Sequence, residues 1–147
     1  MGNPHLPWMS DELAMFRDSV HKFVAAEFAP HEARWEQQQH VDRDAWRRAG
    51  AMGLLLTDIP EAYGGAGGDF AHECVVFEEL QRANVTSFGK HVHSIVAHYV
   101  LAYGSEDQRR RWLPKMAAGE MVGAIAMSEP AAGSDLQGIR TTARRDG

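Results

Sequence analysis

The chain has 147 residues, 44% of them hydrophobic, and a formal net charge of −5. These values suit a soluble globular protein of ordinary domain size, and the interspersed charges, with no basic run beyond Arg109-Arg110-Arg111, argue against a nucleic-acid partner. Cys74 is the only cysteine, which excludes an intrachain disulfide and favours a reducing, cytoplasmic location. Met1–Ser10 has neither signal-peptide nor transit-peptide character, and no apolar run reaches the length of a membrane span.

The first two-thirds of the chain reads as helices. Ser10 is the expected N-cap of the first, with Asp11 and Glu12 favourably placed in its first turn. Leu13, Phe16, Val20, Phe23 and Val24 then recur at helical spacing, and Pro30 lies beyond the end. Asp42 caps a shorter helix carrying Trp46 and Ala49, stopped by Gly50 or Gly53. Leu54 to Ile59 is a short apolar connector closed by Pro60, and Gly64–Gly68 reads as a flexible link. A helix over 70–83 places Cys74, Phe77 and Leu80 on one face. The next, over 88–103, carries Val92, Ile95, Val96, Tyr99 and Val100, and Gly104 ends it. Ser105-Glu106-Asp107-Gln108 is a capping box, because the Ser and Gln side chains can each satisfy the other's backbone N–H. It opens a last helix, bent or restarted at Pro114 and finished near Gly119.

The pattern then changes. Met121 to Met127 is an apolar run of strand length, halted by Ser128-Glu129-Pro130-Ala131-Ala132-Gly133-Ser134-Asp135. Exposed N–H groups beside Ser hydroxyls would form a donor-rich edge suited to the carbonyls of a flat heterocycle or to phosphate oxygens. Ile139 to Arg145 reads as a second strand, and Asp146-Gly147 is a strong hairpin-turn signal. Helices followed by strands predict an α+β arrangement: an all-helical domain over 1–119, then the start of a truncated β-domain over 120–147.

Four segments in this order resemble the acyl-CoA dehydrogenase family, and its long-chain branch most. They are Ile59-Pro60-Glu61-Ala62-Tyr63-Gly64-Gly65, Tyr103 to Gln108, Arg111-Trp112-Leu113-Pro114-Lys115, and Ala124 to Asp135, the last continued by Leu136-Gln137-Gly138-Ile139. The resemblance runs from about Asp11 to Gly147. It implies FAD as cofactor, a fatty acyl-CoA as substrate, electron-transfer flavoprotein as acceptor, a homo-oligomeric full-length protein, and α,β-dehydrogenation of the thioester in fatty-acid β-oxidation. It also implies that Ile125, Ala126, Met127, Ser128, Gly133 and Ser134 line the flavin, with Ser134 facing the CoA arm and the Ser128 hydroxyl near N5 or O4. Glu129 and Asp135 would fix the turn. The family more often has Thr at position 128 and Gly at position 131, so Ala131 would be strained at positive φ. The family's catalytic Glu lies in a C-terminal domain, and no glutamate here matches it, so the chain is expected to be an N-terminal fragment inactive alone. Competing readings are a non-enzymatic helical binding module or gene remnant, and a flavin oxidase on the same scaffold.

Other candidates weigh less. His91 and His98 share a helix face while His93 points away, and there is no His-Glu-x-x-His pattern, so no metal is expected. By the resemblance, His93-Ser94-Ile95 either borders the acyl and flavin pocket or has a capping or surface role. Glu78-Glu79 and Arg109–Arg111 read as solvated helix faces, Cys74 as buried packing, and Trp46 and Trp112 as core anchors.

Overall fold

The computed structural model describes residues 7–146. Its helices are α1 (Asp11–Glu27), α2 (Glu32–Gln38), α3 (Arg43–Ala51), α4 (Phe70–Arg82), α5 (Lys90–Tyr103) and α6 (Glu106–Ala117). Single 3₁₀ turns occur at Ala29–His31, Glu61–Tyr63 and Leu136–Gly138. Packing pairs α1 with α4 and α5 with α6.

The helix starts follow the capping chemistry. Ser10 accepts from the Leu13 N–H at 3.1 Å. Ser105 and Gln108 exchange side-chain bonds at 2.8 and 3.3 Å, and α6 runs on through Pro114 to Ala117. Asp42 sits at the N-cap of α3, but its carboxylate faces α2 instead. It accepts from Arg34, from Trp35 Nε1 at 3.1 Å and from Gln38 Nε2 at 3.2 Å, with no side-chain cap bond. The Arg34 hydrogen bonds lead in holding its carboxyl well below the usual carboxylate range.

One aromatic chain runs through the core. Phe28 packs on Phe23, Trp35 and Phe88 with ring centroids 5.1, 5.5 and 4.6 Å apart. Trp46 follows Phe88 at 4.4 Å and reaches the His93 ring at 5.3 Å. Edge-on and tilted rings at these separations add to the area they bury. Trp46 is the anchor expected, whereas Trp112 is only half-buried.

Several expectations need correction. Gly64–Gly68 is not a flexible link. The N–H groups of Gly65, Ala66, Gly67 and Gly68 donate to carbonyls of Pro60, Leu56, Ile59 and Thr57. A Cβ on Gly65 would stand 2.0 Å from the Ile59 carbonyl oxygen, so the backbones touch there. Glu79 is not on a solvated face: it is 2% exposed and lies 3.0 Å from His21 and 3.4 Å from Arg82. Glu78 keeps one edge in solvent and binds Arg17 at 2.6 Å. Cys74 and Phe77 are half-buried, and the α4 core face is Val75, Val76 and Leu80.

The largest correction lies after α6. Met121–Met127 and Ile139–Arg145 form no ladder, and among the described residues 120–146 the only pairing is an isolated bridge between Glu129 and Ala132. No strand of the expected β-domain is present among the described residues. Two short strand-like segments do not make a stable sheet in water without further strands. Water is their default partner, and the segment is mostly exposed.

At the centre of the helical part, Lys90 is 0% exposed and pairs with Glu73, itself 2% exposed. The Lys90 ammonium also donates to Ser94 at 3.0 Å. Glu73 accepts from the Thr57 N–H at 3.2 Å and the Thr57 hydroxyl at 2.6 Å. Burial pushes the Lys90 ammonium below its ordinary value, against the pull of Glu73. Lys90→Ala would leave a buried carboxylate without its cation and should lower stability by about 3–5 kcal/mol in urea denaturation. Adding Glu73→Gln to Lys90→Met keeps the bonds to Thr57 without the charge and should recover most of that loss.

Candidate functional site

Helix α5 carries two stripes, and the buried one is not the apolar one. Lys90, His93, Ser94 and Ala97, at i, i+3, i+4 and i+7, face the core. Ile95 and Tyr99, from the apolar spacing read in the sequence, are exposed, and so is Tyr103, by 82%. The physical reason is the partner set: Glu73 on α4 and the carbonyls of Leu55 and Met116 accept hydrogen bonds from the polar stripe.

The outward apolar stripe forms the ridge between two grooves. The first, about 540 Å³, lies between α4 and α5 and is walled by Phe70, Phe77, Ile95, Tyr99 and Tyr103, with Glu73, Ser94 and the Asp58–His98 pair also lining it. His98 Nε2 is 3.1 Å from the Asp58 carboxylate, and Nδ1 donates to the Ser94 carbonyl at 2.8 Å. The second, about 530 Å³, lies between α5 and the segment after α6. Val96, Tyr99, Tyr103 and Trp112 form one wall, and Ile125, Ala126, Met127, Leu136 and Ile139 the other.

The sequence-predicted flavin residues divide between these surroundings. Ile125, Ala126 and Met127 line the second groove. Ser128, Gly133 and Ser134 are exposed outside its lining, and a Cβ on Gly133 would meet nothing within 4 Å. Positive φ outside glycine occurs at Gln39 and Asn84 among the described residues, so Ala131 carries no such strain. The donor set fits a flavin: a hydroxyl and irregular, exposed backbone lie beside an apolar wall.

His93 fastens this region to the helices. Its Nε2–H donates to the Met116 carbonyl at 3.1 Å, and Nδ1 accepts from the Gly123 N–H at 3.0 Å. A neutral imidazole satisfies both, whereas an imidazolium would turn Nδ1–H against a donor. Burial, with help from the nearby Lys90 charge, pushes His93 down to about 4. His91 lies exposed on the first groove and His98 is held by Asp58, so the three imidazoles go to different places. No cluster of three or more possible metal ligands occurs among the described residues.

Sequence reasoning missed Phe70, Asp58 and the Lys90–Glu73–Ser94 network. The available signal was a lysine at the head of an apolar helix, spaced i+3, i+4 and i+7 from His93, Ser94 and Ala97. A polar stripe at helical period marks a buried face when a second element supplies its partners.

The helical domain turns an apolar ridge outward and ends in an exposed Ser-Glu-Pro and Gly-Ser-Asp loop beside it. Residues 10–120 match the family described as acyl-CoA dehydrogenase, N-terminal domain, and the chain belongs to the acyl-CoA dehydrogenase family. It is similar to the mitochondrial long-chain specific acyl-CoA dehydrogenase of Sus scrofa, at 49% identity over 139 residues, covering 94% of this chain and 32% of that protein. Among solved structures it is similar to an acyl-CoA dehydrogenase from Geobacillus kaustophilus, with a TM-score of 0.87 and 41% identity over 95% of this chain and 37% of that one. A glutaryl-CoA dehydrogenase from Mycobacterium smegmatis in complex with FADH2 superposes with a TM-score of 0.83 at 28% identity, over 95% of this chain and 36% of that one. The chain thus spans about a third of the length of these relatives.

The His93 geometry sets a pH dependence. The unfolded chain takes up the imidazole proton near 6.5 and the folded chain only near 4, so this group's stabilisation is complete above pH 6.5 and is lost as pH falls toward 4. Urea denaturation should show about 1–2 kcal/mol less stability from this group at pH 5 than at pH 7. His93→Gln can keep both hydrogen bonds and should remove that component of the pH slope.

Proposed function

We propose that this chain is the N-terminal part of a FAD-dependent acyl-CoA dehydrogenase acting on fatty acyl-CoA thioesters. The supporting observation is the second groove, where Ile125, Ala126 and Met127 face the apolar stripe of α5 with Ser128 next in the chain. When bound, FAD supplies the hydride acceptor for oxidation between the α and β carbons of the thioester. The chain's own contributions are the apolar wall, the Ser128 hydroxyl as a donor toward the flavin ring, and Ser134 toward the CoA arm. The first groove, walled by Phe70, Phe77 and Ile95, suits an alkyl chain.

In this proposal residues 120–147 open a β-domain whose remaining strands, like the catalytic base, come from a longer polypeptide. Electron-transfer flavoprotein as acceptor, homo-oligomeric assembly and a cytoplasmic location, the last resting on the lone Cys74, belong to the same proposal. The Sus scrofa relative is named as mitochondrial.

The full polypeptide should reduce an artificial electron acceptor with a panel of acyl-CoAs, and absence of flavin bleaching at every chain length would refute the assignment. The 147-residue chain alone should show no acyl-CoA-dependent turnover, since a positioned base contributes about 10²–10⁴-fold. Ser128→Ala in the full polypeptide should weaken FAD binding and flavin reduction by about 1–3 kcal/mol in total. Ser128→Thr should be tolerated, because the donor is kept. Equilibrium titration and stopped-flow reduction measure the two effects.

A further inference from the structure

Glu129 stands between the two halves of the loop that walls the second groove. One carboxylate oxygen accepts from the Arg140 N–H at 2.9 Å. The other accepts from the Thr141 N–H at 2.9 Å and from the Thr141 hydroxyl. Two consecutive amides and a hydroxyl therefore converge on one side chain eleven and twelve residues earlier in the chain. The Glu129 backbone closes the same loop from the other side, exchanging N–H···O bonds with Ala132 at 2.9 and 3.1 Å. Ala132 is buried, although its neighbours are exposed.

The groove shows what this clasp holds. Ile125, Ala126 and Met127 precede Glu129, while Leu136 lies four residues before Arg140 and Ile139 directly before it, and all five line the same wall. Asp135 adds a local bond to the Gln137 N–H at 3.0 Å, which shapes the 3₁₀ turn but crosses to neither side. Among the described residues after Gly123, the bonds of Glu129 are the ones that join the 124–129 stretch to the 139–141 stretch. A carboxylate receiving several N–H bonds is a strong, charge-assisted acceptor, and these bonds hold the Glu129 carboxyl below its ordinary value, Thr141 hydroxyl first.

We infer that Glu129 is a positioning residue for the cofactor: it does not touch the flavin, and it sets the groove wall and the neighbouring Ser128 by clasping the Arg140 and Thr141 amides. This rests on the flavin-facing role proposed above for Ile125 to Ser128. It differs from a catalytic carboxylate, because both its oxygens accept from the chain's own groups, the Arg140 and Thr141 amides and the Thr141 hydroxyl.

Two measurements test it. In amide hydrogen exchange on the 147-residue chain without flavin, Arg140 and Thr141 should exchange several-fold more slowly than Thr142 and Ala143, and Glu129→Ala should abolish the difference. In the full polypeptide, Glu129→Ala should raise the FAD dissociation constant about tenfold or more while leaving the melting temperature of the flavin-free protein unchanged. Glu129→Gln, which keeps one acceptor oxygen, should fall between. Equal exchange at these amides in wild type and Glu129→Ala overturns the clasp. Lost protection with unchanged FAD affinity, or an affinity loss matched by a fall in melting temperature, overturns the positioning role. Failure of the wild-type full polypeptide to take up FAD would refute the flavin assignment itself, which the exchange result does not depend on.

Discussion

The Glu73–Lys90 pair is the constraint on which the rest of the structure depends. A buried ammonium and carboxylate cost several kcal/mol each to desolvate, so they are tolerated only when their remaining hydrogen-bonding capacity is met. Thr57 and Ser94 meet it, and with them the pair joins the connector after α3, helix α4 and helix α5 at one point. Once Lys90 is committed to Glu73, the rotation of α5 about its axis is fixed. His93, Ser94 and Ala97 must follow Lys90 inward, and Ile95, Tyr99 and Tyr103 must face out.

That rotation supplies both grooves. The outward aromatic residues of α5 are shared by the two, which is why a single helix walls a cleft toward α4 and another toward the segment after α6. The inward His93 carries the constraint one step further. By accepting from Gly123 and donating to Met116, it ties the first residues of the irregular segment to α6 and α5 together. Lys90 and His93, on one face of α5, thus set by directed polar contacts where α4, the end of α6 and Gly123 lie.

Beyond Gly123 the character of the structure changes. Hydrophobic burial orders the helices, as the aromatic chain from Phe23 to Trp46 shows. The segment 124–146 has almost no burial of its own and is organised by short-range hydrogen bonds around Glu129 and Asp135. Ala132 is its only buried residue among those described. A region built in this way keeps its loops but cannot make a sheet, because a ladder needs partner strands.

The sequence by itself determined the caps at Ser10 and Ser105, the positions of five of the helices and the family. Ser10, Ser105 and Gln108 act locally, within one turn of chain, so their roles could be read from neighbours alone. The short helix α2 escaped, because its anchors, Trp35 bonded to Asp42 and Glu32 bonded to Thr86 and Ser87, lie on other segments. The orientation of α5 escaped for the same reason. Hydrophobic periodicity assigns the apolar stripe to the core, and only the carboxylate of Glu73, seventeen residues away, reverses that choice. Gly65 likewise reads as slack until the Ile59 carbonyl is found against it. The strand propensity of Met121–Met127 was legible, but strands exist only as pairs, and pairing is a property of the tertiary structure.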